Sequence, residues 1–249
     1  MAGQDHRTAC ELARAAGDLL VSVREQGAIG AELGRLGDVA SHDFLVAAIR
    51  SRHPGDAILS EEAVDDRRRL TSRRVWIIDP LDGTREFAEP SRDDWSVHVA
   101  LWEDGDIVAA AVALPARSVV LCTEAPTLAR ASRMRDVLKV VVSRTRPPEI
   151  ASRVATAIGA ECVPMGSAGA KTASVILGDA DAYLHDGGQH EWDSAAPAGV
   201  ALQAGLHASR LNGEPLAYNR DDVRLPDILV CRRELAPALL DAIAEARAR

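Results

Sequence analysis

Apolar residues recur at helical spacing near the start of the chain. Residues 8–26 carry an apolar stripe with a period near 3.6, which predicts an amphipathic opening helix. Residues 27–37 are rich in glycine and predict a break. We therefore expect a second helix that starts near Asp38 or Ser41 and ends before Pro54.

Two short apolar runs come next, and each is followed by acidic residues. Residues 57–60 precede a pair of glutamates that begins at Glu61, and residues 75–78 precede Asp79. Short runs rich in β-branched residues favour buried strands. Pro80 ends the second strand, because proline has no backbone N–H for the ladder. Both strands therefore carry carboxylates at their carboxyl ends.

An antiparallel meander is predicted after these strands. Residues 97–101 and 107–114 flank the turn at 103–106, and residues 118–122 offer a further strand.

Helical and strand patterns alternate in the second half, which predicts a layered α/β arrangement. The predicted helices lie at 147–159, 168–178 and 235–246, and the predicted strands lie at 137–143, 161–165, 181–185, 206–209 and 228–231. We place a domain boundary near residue 132, which gives an N-terminal α+β half (1–132) and a C-terminal α/β half (133–249).

Composition and charge narrow the class of partner. With 249 residues, 47% of them hydrophobic, the chain can bury a substantial core. Its formal net charge is −8 and it has no long basic cluster, which argues against polymeric nucleic acid and an anionic membrane surface as partners. A small anionic ligand is compatible with this charge if metal ions reverse the local sign.

The cysteines and the chain start point to a cytoplasmic protein. The four cysteines are scattered with no Cys-x-x-Cys pair, so we expect buried reduced thiols rather than disulfides or a zinc site. The first residues lack the apolar run of a signal peptide, and no stretch approaches the ~18 apolar residues of a membrane span.

The segment from Asp79 to Thr84 holds the strongest candidate chemistry. Asp79 and Asp82 lie three residues apart on a tight turn, Gly83 allows close backbone approach, and Thr84 offers a hydroxyl. Such a turn at a strand end suits a hard cation and a phosphate. An ordinary Asp-Gly turn without metal is the alternative. The alternating acids of a calcium loop and the acid spacing of an aspartyl-phosphate phosphatase are both missing.

Three further acids have both a structural and a functional interpretation. Glu61 belongs to a surface acidic pair or to a metal site, and Asp38 is a helix cap or a site residue. Asp193 is either the N-cap of a helix whose first turn holds Pro197, or a carboxylate at a positive helix end that shares a cation with the Asp79 turn. The seven histidines form no ligand-spaced pair and are assigned to the surface or the core.

Three motifs together resemble the inositol monophosphatase-like superfamily of magnesium-dependent, lithium-sensitive phosphatases. They are SEE at 60–62, WIIDPLDGT at 76–84 and WDSAA at 192–196. The resemblance covers nearly the whole chain. It implies a layered αβαβα sugar-phosphatase-like fold of the α/β (α+β) class, with an antiparallel-rich N-terminal sheet and a smaller mixed C-terminal sheet. It also implies a homodimer.

Within the superfamily the chain is most similar to the CysQ branch, the 3′-phosphoadenosine-5′-phosphate (PAP) phosphatases, in its actinobacterial form. The segments that indicate this are TREF at 84–87, VSR at 142–144 and GSAGAK at 166–171. The chain departs from the family at 35–38, where it has RLGD in place of Thr-x-Ala-Asp. The implied reaction removes the 3′-phosphate of PAP by metal-activated water and leaves AMP. Inositol monophosphatase or fructose-1,6-bisphosphatase activity and a catalytically silent nucleotide-binding regulator are the alternatives.

A need for metal also follows from the size of the barrier. Phosphomonoester hydrolysis needs accelerations of up to about 10²¹-fold, whereas general acid–base catalysis typically supplies about 10²–10⁴. The clustered acids suit two or three Mg²⁺ ions.

The resemblance implies a role for each candidate residue. Glu61, Asp79 and the Leu81 carbonyl would hold one Mg²⁺, and Asp79, Asp82 and Asp193 a second, with a third near Glu61. Catalytic roles fall to Asp38, Thr84 and Glu61, with Thr84 and Asp38 orienting the attacking water and accepting its proton. The backbone of Gly83 and Thr84 would bind the phosphate. The rest of the nucleotide falls to three residues that have a surface interpretation too: Ser143, Arg144 and Lys171.

Overall fold

The computed structural model describes residues 2–125, 127 and 137–248. Within this part the chain forms seven α-helices: α1 (Ala2–Arg24), α2 (Gly30–Arg52), α3 (Thr84–Ala88), α4 (Ala151–Ala157), α5 (Ala168–Ile176), α6 (Glu191–Gln203) and α7 (Ala236–Arg247). The same residues form ten strands: β1 (Ala57–Ser60), β2 (Arg74–Asp82), β3 (Ser96–Glu103), β4 (Asp106–Leu114), β5 (Val119–Cys122), β6 (Leu138–Ser143), β7 (Ala160–Met165), β8 (Ala182–His190), β9 (His207–Ser209) and β10 (Arg224–Cys231).

The strands form two five-stranded sheets in the described residues. The first has the order β1-β2-β3-β4-β5, with β1 parallel to β2 and the other neighbours antiparallel. The second has the order β7-β6-β8-β10-β9, with β6 parallel to β7 and β8, and β10 antiparallel to β8 and β9. The predicted meander and the mixed second sheet are confirmed, although the two sheets are equal in strand number.

Helices cover both sheets and separate them. One apolar cluster joins α1 and α2 to the outer face of the first sheet. A second cluster lies between the sheets and includes residues of α5 and α6. A third joins α4 and α7 to the outer face of the second sheet. This order of layers is the αβαβα architecture that the sequence predicts.

The second helix starts earlier than predicted. Helix α2 begins at Gly30, so Gly34, Gly37 and Asp38 lie inside it and Asp38 is not a cap. The glycines permit close packing: a Cβ on Gly34 would stand 2.7 Å from Cγ2 of Thr84, and one on Gly37 would stand 2.7 Å from Cε1 of Phe87. The glycine-rich stretch is therefore a packing surface rather than a break.

Asp193 is also not the helix cap that the sequence predicts. Helix α6 begins at Glu191 after the N-cap His190, and the carboxylate of Asp193 accepts a hydrogen bond from the His190 backbone N–H. Pro197 consequently lies in the second turn rather than the first. Because proline has no backbone N–H, the carbonyl of Asp193 cannot accept the usual helical hydrogen bond from the residue four positions later.

Other expectations differ in smaller ways. Helix α1 starts at Ala2, α4 is shorter than predicted, and β8 continues to His190. Three cysteines are buried and free, but Cys162 is free and exposed. The boundary predicted near residue 132 falls outside the described residues, so the division into two halves stays a prediction. None of the helices in the described part of the chain has the length and apolar character needed to cross a bilayer.

Candidate active site

A polar cavity of about 290 Å³ lies where the carboxyl ends of β1 and β2 face α3, α5 and α6. Most of the predicted site residues line it: Glu61, Asp79, Leu81, Asp82, Gly83, Thr84, Ser143, Arg144, Lys171 and Asp193. The remaining one, Asp38, lies behind Thr84 rather than on the cavity wall.

The turn after β2 follows from its own sequence. The register between β2 and β3 shifts after Asp79, the residue before Pro80, and Asp79 Oδ1 accepts a hydrogen bond from the Leu81 N–H at 3.1 Å. Gly83 then adopts φ +90°, a left-handed conformation that favours glycine, and caps α3. This geometry brings Asp79 and Asp82 to the same end of the sheet.

Three aspartates converge there and form the aspartate cluster (Asp79, Asp82 and Asp193). One carboxylate oxygen from each lies within 4.8 Å of the others. Oδ2 of Asp79 is buried and has no hydrogen-bond partner among the described residues. An unpartnered buried carboxylate oxygen is costly, and a divalent cation with oxygen ligands would satisfy it.

Asp82 is fixed by both halves of the chain. Its Oδ2 accepts from Ser167 Oγ at 2.5 Å and from the Gly169 N–H at 2.9 Å, at the N-terminus of α5. The ring of His98 on β3 lies 3.2 Å from the same oxygen through Nε2. Although burial opposes it, the charge of His98 and the hydrogen bonds hold the pKa of Asp82 well below its usual range. Asp82 is therefore the anionic member of the cluster.

The other acids repel one another. Burial, followed by the charges of Glu61 and Asp82, raises the pKa of Asp79 well above its usual range. Burial and then Asp82 raise the pKa of Asp193 to about 7. Adjacent carboxylates in a site of low hydration resist full ionisation, and a bound cation relieves that repulsion. The residues present thus fit a divalent metal ion.

Glu61 borders the cluster without being one of its three members. The residue is exposed and lines the cavity. Reduced hydration of its carboxylate, followed by repulsion from Asp193, raises the pKa of Glu61 to about 7. Of the two interpretations of Glu61, the cavity position favours a site residue over a purely solvated one.

Thr84 and Asp38 form a hydrogen-bonded pair beside the cluster. Thr84 Oγ1 lies 3.2 Å from Asp38 Oδ1 and 3.2 Å from the Leu81 carbonyl. Burial, then repulsion from Glu62, raises the pKa of Asp38 to about 6, and the hydrogen bond with Thr84 opposes the rise. A carboxylate with a pKa near neutrality can accept a proton at working pH.

The candidate substrate-binding residues already have hydrogen-bond partners within the protein. The guanidinium of Arg144 donates to Glu86 at 2.7 Å and to Glu89 at 2.8 Å. Lys171 is buried, and its Nζ donates to the carbonyls of Gly166 and Ser167. Arg144 would therefore reach a second phosphate only by sharing or leaving its acidic partners.

Sequence reasoning missed the buried support for the aspartates. His98, assigned only to surface or core, is fully buried and donates through Nδ1 to the Trp192 carbonyl at 3.0 Å. It thus ties β3 to the start of α6 and contacts Asp82 as well. The signal was the strand pairing: His98 stands opposite Asp79, and Ser96 opposite Asp82.

A second missed group lines the wall of the cavity formed by the second half of the chain. His185, Gln189 and Arg146 all face the cavity. No spacing rule singled out His185 and Gln189, because β8 is distorted by two consecutive glycines with positive φ, at 187 and 188. Arg146 lies in the loop after β6.

Comparisons with known proteins agree with this geometry. The model of the inositol monophosphatase family matches residues 4–248. The chain is 51% identical to the 3′-phosphoadenosine 5′-phosphate phosphatase of Mycobacterium leprae, over 97% of this chain and 94% of that one. It is 54% identical to the protein of the same name from Mycobacterium bovis, over 93% and 90%. A crystal structure of CysQ from Bacteroides thetaiotaomicron superposes with a TM-score of 0.79 at 23% identity, over 92% of this chain and 97% of that one.

Proposed function

Because the chain belongs to the inositol monophosphatase family, we propose that it hydrolyses PAP to AMP and phosphate in a Mg²⁺-dependent reaction. The observation that carries this proposal is the aspartate cluster with its unpartnered Asp79 oxygen at the wall of a polar cavity. The names of relatives at 51% and 54% identity support PAP as the substrate.

Two or three Mg²⁺ ions would be held by the aspartate cluster together with Glu61 and the Leu81 carbonyl. When bound, these ions supply Lewis acidity and offset the charge of the carboxylates and the phosphoester. Neighbouring groups of the protein orient the carboxylates that would bind these ions. His98 and Ser167 fix Asp82, and the His190 backbone N–H fixes Asp193, so the oxygens that face the cavity are pre-oriented.

The Thr84–Asp38 pair would handle the proton of the attacking water. Thr84 lines the cavity, and its Oγ1 donates to Asp38, which is not among the lining residues. In this proposal the water gives a proton to Thr84 Oγ1 while Thr84 gives its own hydroxyl proton to Asp38. The net result is a protonated Asp38 carboxyl group. The oxygen of the water then forms the new P–O bond as the bond to the ribose 3′-oxygen breaks, and that oxygen takes a proton from solvent water to become the 3′-hydroxyl of AMP.

Binding of the phosphate and of the nucleotide would use the other cavity residues. The N–H groups of Gly83 and Thr84 begin α3 and line the cavity. Ser143, Arg144 and Lys171 would contact the remainder of the nucleotide, with Lys171 acting as a charge.

A substrate panel tests the proposal. Phosphate release is measured with Mg²⁺ from PAP, inositol 1-phosphate and fructose 1,6-bisphosphate under identical conditions. PAP should have the highest kcat/KM. A clear preference for the inositol or the sugar substrate would overturn the assignment, and binding of PAP without turnover would identify a silent regulator.

We also propose that the protein is a cytoplasmic homodimer. Family membership supports the dimer, and the buried free thiols suit a reducing compartment. Light scattering of the purified full chain would report the oligomeric state, and fractionation of cells that express it would report the location.

A further inference from the structure

The wall of the cavity carries buried polar atoms that no group in the described part of the chain satisfies. His185 is 5% exposed and Gln189 is 7% exposed, and both line the cavity. Both ring nitrogens of His185, and Oε1 of Gln189, have no hydrogen-bond partner among the described residues. Buried polar groups are normally paired, and each unpaired one is costly, so this polar wall (His185 and Gln189) points to a ligand.

Tyr183 orients the Gln189 carboxamide. The strand distortion at residues 187 and 188 returns Gln189 towards the fully buried Tyr183, and Gln189 Nε2 donates to the Tyr183 hydroxyl at 2.8 Å. With one of its two N–H bonds engaged in this way, the carboxamide has Oε1, an acceptor, as its atom without a partner among the described residues.

His185 complements this acceptor with a donor. Burial, followed by the charge of Lys171, lowers the pKa of His185 to about 4, although the nearby Gly187 backbone opposes the shift. A neutral imidazole carries one N–H donor and one acceptor nitrogen. The polar wall therefore offers an uncharged donor next to an uncharged acceptor.

The position of the wall matches the part of the substrate that does not react. Asp82 at the cluster contacts Ser167, and the Ser167 carbonyl accepts from Lys171 Nζ. Lys171 Nζ in turn stands 5.1 Å from the centre of the Tyr183 ring, beside which the polar wall lies. The polar wall thus belongs to β8 of the second sheet, on the side of the cavity that holds Lys171, whereas Asp79 and Asp82 belong to β2 of the first sheet.

We propose that His185 and Gln189 bind the nucleobase of the substrate and select a 6-aminopurine. The amino group would donate to Gln189 Oε1, and a ring nitrogen would accept from the His185 N–H. A phosphate has only acceptors to offer at neutral pH and would oppose the Gln189 oxygen, as would the 6-oxo group of hypoxanthine. This inference rests on the proposed function, since it assumes a nucleotide substrate.

The test compares substrates that differ in one group. They are PAP, its 6-oxo analogue (3′-phosphoinosine 5′-phosphate), ribose 3,5-bisphosphate without a base, and 3′-AMP without the second phosphate. Gln189→Met keeps the length of the side chain and removes the acceptor, and His185→Phe removes the donor. Gln203→Met, at an exposed position near the end of α6, is the matched control.

We expect wild type to prefer PAP over the 6-oxo analogue by at least about 10-fold in kcat/KM. Gln189→Met and His185→Phe should each lower kcat/KM for PAP and for 3′-AMP by about 10- to 100-fold. This loss in kcat/KM should be confined to substrates that carry the base. Gln189→Met should reduce the preference for PAP over the 6-oxo analogue to within about 3-fold. The control Gln203→Met should behave as wild type.

Two outcomes for the variants would overturn the inference: an unchanged kcat/KM for PAP, or an equal loss in kcat/KM for ribose 3,5-bisphosphate. A loss with PAP that disappears with 3′-AMP would also overturn it, because it would assign the wall to the second phosphate. If the variants do not fold, the wild-type preference decides, and its absence overturns the inference. If wild type does not hydrolyse PAP, the proposed function fails instead. Calorimetry of AMP against ribose 5-phosphate binding to wild type then decides the base subsite separately, with equal affinity counting against it.

Discussion

At the scale of single residues, the site depends on oxygens whose charge and direction are fixed by neighbours. The Asp82 Oδ2 atom is saturated by groups from β3 and α5. Asp79 keeps one buried oxygen without a partner among the described residues. The two aspartates therefore differ, since the protein's own donors favour the charged form of Asp82, whereas burial and neighbouring acids disfavour that of Asp79 and a bound cation would favour it.

Replacing either aspartate should remove the reaction rather than weaken it slightly. Asp79→Asn and Asp82→Asn should each lower kcat/KM for PAP by about 10³-fold or more, equivalent to about 4 kcal/mol, because a neutral amide holds a divalent cation poorly. Steady-state phosphate release measures this. Asp43→Asn, an exposed position on α2, is the control and should retain wild-type turnover. Near-normal turnover in either site variant would contradict the assigned roles.

Thr84 and Asp38 should behave as one unit. Thr84→Val removes the hydroxyl that links the cavity to Asp38, so kcat should fall by about 10²-fold or more. Thr84→Ser keeps that hydroxyl and should retain most of the activity. The double variant Thr84→Val/Asp38→Asn should be no slower than the slower single variant, because residues that act together are not additive. Fully additive losses in kcat would show that the two residues act separately.

At the scale of elements, the packing of α2 places Asp38 at the site. The helix approaches α3 through glycine, and a Cβ on Gly37 would stand 2.7 Å from Phe87 Cε1 and 2.9 Å from Leu81 Cδ2. Phe87 cannot withdraw easily, since it is buried with its ring 4.9 Å from that of Trp95. The absence of a side chain at position 37 is therefore what brings the helix close enough for the Thr84–Asp38 contact.

Gly37→Ala should consequently destabilise the protein, although alanine is the better helix former. Overpacking costs about 1–3 kcal/mol, which exceeds the gain of about 1 kcal/mol in helix propensity. Urea unfolding should give a lower free energy of unfolding, and kcat should fall as α2 moves away from Thr84. Gly3→Ala is the matched control, because it lies in α1 with no atom within 4 Å of its added Cβ. A stabilised, fully active Gly37→Ala variant would refute this account of the packing.

Element prediction succeeded where local pattern and tertiary packing agree. The meander follows from alternation and turn residues, and the structure has it. The predicted end of β2 at Pro80 was wrong, because the strand continues to Asp82 through a shift in its register with β3. The start of α2 was missed because glycine is a helix breaker in isolation, whereas Gly34 and Gly37 are used here for contact with α3. The predicted N-cap of α6, Asp193, lies three residues after the actual one, because His190 is an uncommon N-cap.

The site was predictable in its acids and not in its surroundings. Motif spacing identified the four carboxylates of the predicted metal site, because each lies at the carboxyl end of a strand or in the first turn of a helix and lines the same cavity. The partners of Arg144 could not be inferred, since Glu86 and Glu89 lie more than fifty residues earlier in the chain. His98 and Gln189 depend on strand register and on a strand distortion, and both are properties of the assembled sheets.

At the scale of the whole molecule, the aspartate cluster joins the first sheet to the helical layer between the sheets. Asp79 and Asp82 belong to β2 of the first sheet, whereas Asp193 lies in the first turn of α6, which packs between the sheets. The Asp82 hydrogen bonds to Ser167 and Gly169 cross from the first sheet to α5. Repulsion among these carboxylates therefore acts on the stability of the entire fold as well as on the reaction.

The sign of this effect follows from the pKa values. Glu61 and Asp193 have pKa values of about 7 in the fold, above the values near 4 of unfolded chains. A carboxyl group whose pKa is raised in the folded state makes its full contribution to stability below about pH 4. This contribution is lost as the pH rises through about 7. Asp79 acts in the same direction. The lowered pKa of Asp82 acts in the opposite direction, but only at pH values below about 4.

Metal removal should therefore destabilise the protein more at pH 8 than at pH 6. Mg²⁺ binds carboxylates and competes with protons, so it should raise the Tm more at pH 8, where Glu61 and Asp193 are ionised. For a chain of this size each 1 kcal/mol shifts the Tm by about 2–4 °C. Thermal unfolding with EDTA and with Mg²⁺ at both pH values measures the difference without any turnover.

Asp193→Asn separates this mechanism from general effects of salt or pH. The substitution removes one of the repelling charges, so the metal-free variant should unfold at a higher temperature than metal-free wild type at pH 8, and Mg²⁺ should stabilise it less. Asp43→Asn should show the full wild-type response, because that carboxylate is exposed on α2 and away from the cavity. An Mg²⁺-induced rise in Tm that is equal at the two pH values, or is unchanged in Asp193→Asn, would mean that these acids do not hold the ion. In that case the hydrolytic proposal would lose its metal site while the αβαβα fold stayed intact.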